Sequence, residues 1–95
     1  MAVKILISRK INTEQEAVVR PFLKQLHQCA LKHKGYISGE SLISADDLED
    51  HLIISSWESL DYWETFLEIE ETKEIRFTID QILGRETIYR IFYKQ

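Results

Sequence analysis

The stretch GYISGESL, Gly35 to Leu42, runs through a short acidic turn into HLIISSWES, His51 to Ser59. Just ahead of it, Lys32, His33 and Lys34 suit the negative C-terminal end of a helix dipole, and Gly35 tolerates the left-handed backbone that ends helices. The stretch therefore reads as a helix stop, two antiparallel strands and a new helix start. Residues 36–44 form the first of these strands, with Gly39 marking a bulge or a close approach by another group. Asp46, Asp47, Glu49 and Asp50 crowd the turn at 45–50. So short a link cannot make a parallel crossover, and residues 51–57 return antiparallel. Ser59 then caps a helix whose first turn gains from Asp61.

Upstream, residues 3–10 are short, apolar and β-branched, and they read as the first strand. Thr13 and Glu16 match a capping box, so a long helix is expected to begin there. Val18, Val19, Phe22, Leu23, Leu26, Ala30 and Leu31 recur at three and four residues and predict its buried stripe. Pro21 lies within that pattern and predicts a kink or a late start near Arg20. Downstream, residues 60–83 are helical in period but change face near Glu70, which predicts two helices or one bent one. Gly84 closes them, and residues 86–93 read as a fourth strand. The order is strand, helix, strand, strand, helix pair, strand. That is the α+β ferredoxin-like plan, βαββ(αα)β, with an antiparallel four-stranded sheet and the helices on one face.

Ninety-five residues with 44% hydrophobic content predict one domain over residues 1–95. A formal charge of −4 offers no attraction to phosphate backbones or anionic membranes, so neither nucleic acid nor membrane is an expected partner. An RNA-recognition domain shares this element order, but HLIISSWE lacks the basic and aromatic pattern that stacks bases. No run approaches the roughly 18 apolar residues that span a bilayer, and a soluble, cytoplasmic protein is expected. The single cysteine, Cys29, cannot form an internal disulfide or a cysteine-based zinc site, and it reads as a buried, inert thiol.

A sheet with one wet face should alternate apolar and polar residues, and these strands do not. Val3, Ile5 and Ile7 oppose Leu6; Ile53 and Trp57 oppose Leu52 and Ile54; Ile88 and Phe92 oppose Tyr89, Ile91 and Tyr93. With helices on one face, the other face needs a cover. A second copy, sheet against sheet, is the expected partner, giving a two-fold homodimer.

Strand two beginning at Gly35-Tyr36 and carrying Glu40, the Trp57-Glu58-Ser59 turn into an aromatic helix, and the Leu83-Gly84 turn before a tyrosine-bearing strand together resemble the antibiotic biosynthesis monooxygenase (ABM) domain family of dimeric α+β barrels. The resemblance covers nearly the whole chain. It implies a pocket between the helices and the helix-facing side of the sheet, and oxygenase chemistry on quinols or polyketide-derived aromatics without a bound cofactor. Haem-degrading relatives rely on an Asn, a Trp and a His where alignment on Trp57 places Ser8 or Arg9, Phe66 and Arg76. Those departures count against haem chemistry, and many other members carry a His where this chain has Phe66.

The pocket residues expected on this basis are Ser8, Phe22, Leu26, Trp57, Trp63, Phe66 and Arg76, with Ser8 the nearest polar group and no metal or cofactor. The residues themselves supply no catalytic base. His27 and His33, six apart, point about 240° from each other on one helix and cannot share a metal. His33 reads as a partner of the helix dipole and His51 as a surface pair beside acidic residues. Arg76 and Asp80, four apart, predict a helix-surface ion pair. Phe77 falls off the Ile75, Ile79 and Ile82 stripe and is expected to pack at the pocket or the partner chain. Glu64, Glu68, Glu70, Glu71 and Glu74 read as an exposed charge run. The expected function is binding of a small apolar or aromatic molecule, with cofactor-independent oxidation as its chemistry; the alternative is a non-catalytic dimeric binding or sensing module.

Overall fold

In the computed structural model, which describes residues 1–95, the element order is β1 (Val3–Lys10), α1 (Thr13–Lys32), β2 (Tyr36–Ile43), β3 (Asp50–Trp57), α2 (Leu60–Glu68), α3 (Glu70–Leu83) and β4 (Ile88–Tyr93). The strands form one antiparallel sheet in the order β2-β3-β1-β4, with β1 and β3 in its interior. The ferredoxin-like plan read from the sequence is the one observed. The helices pack on one face of the sheet, and no helix is long and apolar enough to cross a membrane.

Strand parity decides which side chains meet the helices. Val3, Ile5 and Ile7 of β1 are buried with Trp57 of β3, Ala30 of α1, and Trp63 and Phe66 of α2. A second cluster, Ile11, Val19, Ile75, Ile79 and Leu83, joins α1 to α3. The opposite face of the sheet carries Leu6, Leu52, Ile54, Ile88 and Phe92 in register with one another through the β1 pairings, and no element of the chain covers it.

Several local expectations change. The capping box forms one residue early: Asn12 is the N-cap, its side chain accepting from Gln15 N at 2.8 Å while Asn12 N donates to Gln15 Oε1 at 3.2 Å. Asn outranks Thr as a cap, and Gln15 has further work, its Nε2 donating to the free carbonyls of Ile82 and Leu83 at the end of α3. Pro21 neither breaks nor delays α1, which is continuous through it. Pro21 and Ala17, whose carbonyl it leaves without a donor, both lie on the exposed side. Val18 and Leu31 fall outside the stripe, at 55% and 59% exposure, because the packed arc runs through Val19, Phe22, Leu23, Leu26, Cys29 and Ala30.

The junction signals act as read. Gly35 has φ +93° and Gly84 φ +66°, both left-handed, and the Ser59 hydroxyl accepts from Tyr62 N at 3.4 Å. The face change near Glu70 is a break into two helices at Ile69. Thr72 Oγ1 bridges the break, lying 2.8 Å from each of the carbonyl oxygens of Phe66 and Ile69, which share its single proton. In β2 the register shift lies between Tyr36 and Ser38, so Gly39 is not itself the bulge. Gly39 is a close-approach position: a Cβ there would lie 2.6 Å from the Tyr36 hydroxyl.

Candidate functional site

Between the helices and the sheet lies a cavity of about 370 Å³. Its floor is the inward face of β1 and β3, with Ile7, Arg9, Ile53, Ser55 and Trp57; α1 supplies Leu26 and Ala30, α2 supplies Trp63 and Phe66, and Tyr89 of β4 and Tyr36 of β2 flank it. Such a wall, mostly apolar with a few polar groups, is the usual character of a small-molecule site.

The aromatic side chains support one another. Trp57, fully buried, has the rings of Phe66, Tyr36, Trp63 and His33 at 5.1, 5.3, 5.7 and 5.7 Å. Trp63 stacks on Phe66 with an interplanar angle of 28°, and Tyr89 lies 5.6 Å from Trp63. The indole Nε1 of Trp57 donates to Ser55 Oγ at 2.8 Å, which satisfies a buried donor and fixes the ring's orientation. Desolvation pushes the Tyr36 phenol pKa up. His33 is the C-cap of α1; its ring lies edge-on to Trp57 and Phe66, and Nδ1 donates to the Lys34 carbonyl at 2.8 Å.

Five of the seven residues expected around a pocket, Leu26, Trp57, Trp63, Phe66 and Arg76, line this cavity together. Ser8 and Phe22 do not. Ser8 pairs with Leu52 and Ile88 on the outward face, so strand alternation carries its side chain away from the helices. Arg9, one residue on, continues the Val3, Ile5, Ile7 face and enters the cavity wall instead. Phe22 packs with the α1–α3 cluster.

Arg9 is only 5% exposed. Its Nε donates to Thr87 Oγ1 at 3.2 Å, and that hydroxyl donates to Asp80 Oδ1 at 2.7 Å. Burial pushes the Arg9 pKa down, while Tyr89 and Asp80 oppose that shift. A guanidinium stays protonated nonetheless, so the cavity wall holds a buried positive charge. Arg76, on α3, donates Nη2 to the Leu67 carbonyl at the end of α2 at 2.6 Å. Its Nε is buried with no hydrogen-bond partner. The expected Arg76–Asp80 ion pair is not formed, because Leu67 and Thr87 take the two side chains in different directions.

Arg20, Lys24 and His27, at spacings of four and three on α1, and Gly39, Glu40 and Ser41 of β2 complete the wall. None of these was singled out as a pocket residue from the sequence. The parity that places Ile5 and Ile7 inward would have found Arg9, and the helical spacing of Arg20, Lys24 and His27 was visible. Their common destination was not. His51 makes no ion pair and lies across the β1–β3 ladder from Arg9. Phe77 is 66% exposed and outside the cavity, and the glutamates from Glu64 to Glu74 are exposed as expected.

No family model matches the sequence, and no curated protein is significantly similar to it. Solved structures do match. The chain has the ferredoxin-like fold of the antibiotic biosynthesis monooxygenase structures, in agreement with the resemblance read from its strand and turn residues. A conserved protein from Methanosarcina mazei Go1 superposes with a TM-score of 0.90 at 19% identity, over 100% of this chain and 94% of that one. SnoaB, a cofactor-independent oxygenase from Streptomyces nogalater, gives 0.84 at 12% identity over 99% and 93%. A candidate antibiotic biosynthesis monooxygenase from Nitrosomonas europaea gives 0.85 at 13% identity over 98% and 89%.

Proposed function

We propose that the protein binds a small, planar, apolar organic molecule between its helices and its sheet, and oxidises it with molecular oxygen. The observation that carries this reading is the cavity walled by Trp57, Trp63, Phe66, Tyr36 and Tyr89. Stacking and exclusion of water by such walls orient a flat substrate. The likeness in fold to the cofactor-independent oxygenase SnoaB supports the choice of chemistry. A quinol- or polyketide-like substrate supplies the electrons itself: an activated methylene and O2 become a carbonyl and water, the methylene losing two hydrogens as one oxygen atom is inserted and the other is reduced.

A second reading is a binding or sensing module that keeps the cavity without the reaction. Phe66 favours it, since this ring at the centre of the aromatic wall can neither take nor give a proton. Oxygen consumption with a panel of quinols and hydroxylated polycyclic aromatics separates the two. Turnover that Trp63→Ala abolishes supports the oxygenase, whereas saturable binding with no oxygen uptake across the panel supports the module.

We propose also that two copies pair through the bare sheet face carrying Leu6, Leu52, Ile54, Ile88 and Phe92. Burying that surface gives a small domain the extra apolar contact it needs.

A further inference from the structure

We infer that the ligand of this cavity carries an ionised oxygen, a carboxylate or phenolate on its planar frame, held by the guanidinium groups of Arg9 and Arg76. The inference rests on the reading that the cavity binds an aromatic molecule, and it adds the charge of that molecule.

The first ground is charge without a directly paired carboxylate. Removing a cation from water is costly unless an anion or a full set of acceptors replaces the solvent. Arg9 is buried, yet no carboxylate lies within 4.0 Å of it; its neighbours are neutral hydroxyls, Thr87 Oγ1 accepting from Nε and the Tyr89 phenol beside it. Asp80, the nearest acid in that chain of contacts, is reached only through the Thr87 hydroxyl. Arg76 has one carbonyl partner, no ion pair, and an unpartnered buried Nε. Both side chains have structural tasks, Arg9 tying β1 to the β4 approach and Arg76 capping α2, but each task occupies a single nitrogen. A guanidinium has five N–H donors, and its planar fork suits a carboxylate.

The second ground is the sign of the wall. The chain has a formal charge of −4, yet this wall gathers Arg9, Arg20, Lys24 and Arg76 against a single acidic residue, Glu40. Arg20 is already paired with Glu16 at 2.9 Å on the exposed face of α1. Glu40 pairs with Ile54, a residue of the outward-facing set, so alternation directs its carboxylate away from Arg9 and Arg76. A bound anion would thus meet cations on β1 and α3 with no facing carboxylate. Cations so placed also favour an ionised phenol or enol over its neutral form, which reduces the demand on a protein base.

The test is calorimetric titration with matched pairs: 2-naphthoate against 2-naphthamide, and 2,4-dinitro-1-naphtholate against its methyl ether. The anion of at least one pair is expected to bind about tenfold more tightly than its neutral partner, as loss of a charge-assisted hydrogen bond implies. The pair that shows the preference identifies the oxygen as carboxylate or phenolate. Arg9→Gln and Arg76→Gln should each reduce that preference, read as the ratio of anion to neutral affinity within the same variant, with circular dichroism confirming the fold. Equal binding of anion and neutral partner overturns the inference while the aromatic-cavity reading stands; failure of every probe to bind defeats both. Should Arg9→Gln not fold, Arg76→Gln decides alone, and an undiminished preference in it overturns the assignment.

Discussion

Arg9 and Asp80, on β1 and α3, share one hydroxyl: Thr87 Oγ1 accepts from the Arg9 Nε at 3.2 Å and donates to Asp80 Oδ1 at 2.7 Å. The approach to β4 is thereby pinned between sheet and helix beside the cavity. Thr87→Val keeps the shape and removes both bonds, leaving a buried guanidinium with one donor fewer satisfied. The expected cost is about 1–3 kcal/mol, read as a lower urea midpoint with an unchanged slope. Thr87→Ser should restore most of it. A Val variant as stable as the parent would show that the bridge contributes nothing.

The two serines at the sheet separate its faces. Ser55→Ala leaves the buried indole Nε1 of Trp57 without an acceptor and should destabilise by about 1–3 kcal/mol. Ser8→Ala, on the outward face, should leave ligand binding unchanged. Loss of aromatic ligand affinity in Ser8→Ala would contradict the placement of the cavity on the other side.

Gly35 and Gly84 are both left-handed but differ in surroundings. A Cβ at Gly35 would run into the Cβ and ring carbons of Tyr62, whereas one at Gly84 meets nothing within 4 Å. Gly84→Ala should cost about 1–2 kcal/mol from the backbone alone. Gly35→Ala adds a steric clash in a buried junction and should cost more, so its thermal midpoint should fall further. Equal midpoints would mean that Tyr62 moves aside freely.

The bare sheet face predicts a dimer at micromolar concentration, measurable by multi-angle light scattering. Leu6→Glu together with Ile54→Lys places charges at cross-strand neighbours in the middle of that face and should give monomers. A stable, non-aggregating monomer of the unaltered chain would remove the case for a sheet-to-sheet interface.

Burial pushes the Cys29 thiol pKa up, and Glu71 beside it adds to the shift while Lys32 opposes it. The folded protein therefore holds the thiol proton more firmly than the unfolded chain. That contribution to stability is complete below the unfolded thiol pKa of about 8.5 and is lost as pH rises through the folded value. The pH profile of iodoacetamide alkylation should lie at higher pH for the native protein than in denaturant, and Glu71→Gln should move it back down. Coincident profiles would show an ordinary thiol.

Local signals in this sequence specify local structure. Ser59 with Asp61, and the glycines at positions 35 and 84, act through contacts within a few residues, so the helix ends and the βαββ(αα)β order were legible. Pro21 shows the limit of such signals. A lost backbone bond on a solvent-facing turn costs too little to break a helix whose other side packs on α3. Val18 and Leu31 show another, for a period of three and four residues does not say where a helix's buried arc ends.

The sequence by itself determined the fold and the aromatic character of the helix-facing layer, because periodicity and capping are encoded residue by residue. Only the tertiary structure decided the composition of the cavity. Arg9 from β1, Lys24 and His27 from α1, Arg76 from α3 and Tyr89 from β4 meet there through packing between elements distant in the chain. One step of strand parity placed Arg9 in that wall and Ser8 on the face opposite, a choice that pleat and register make together.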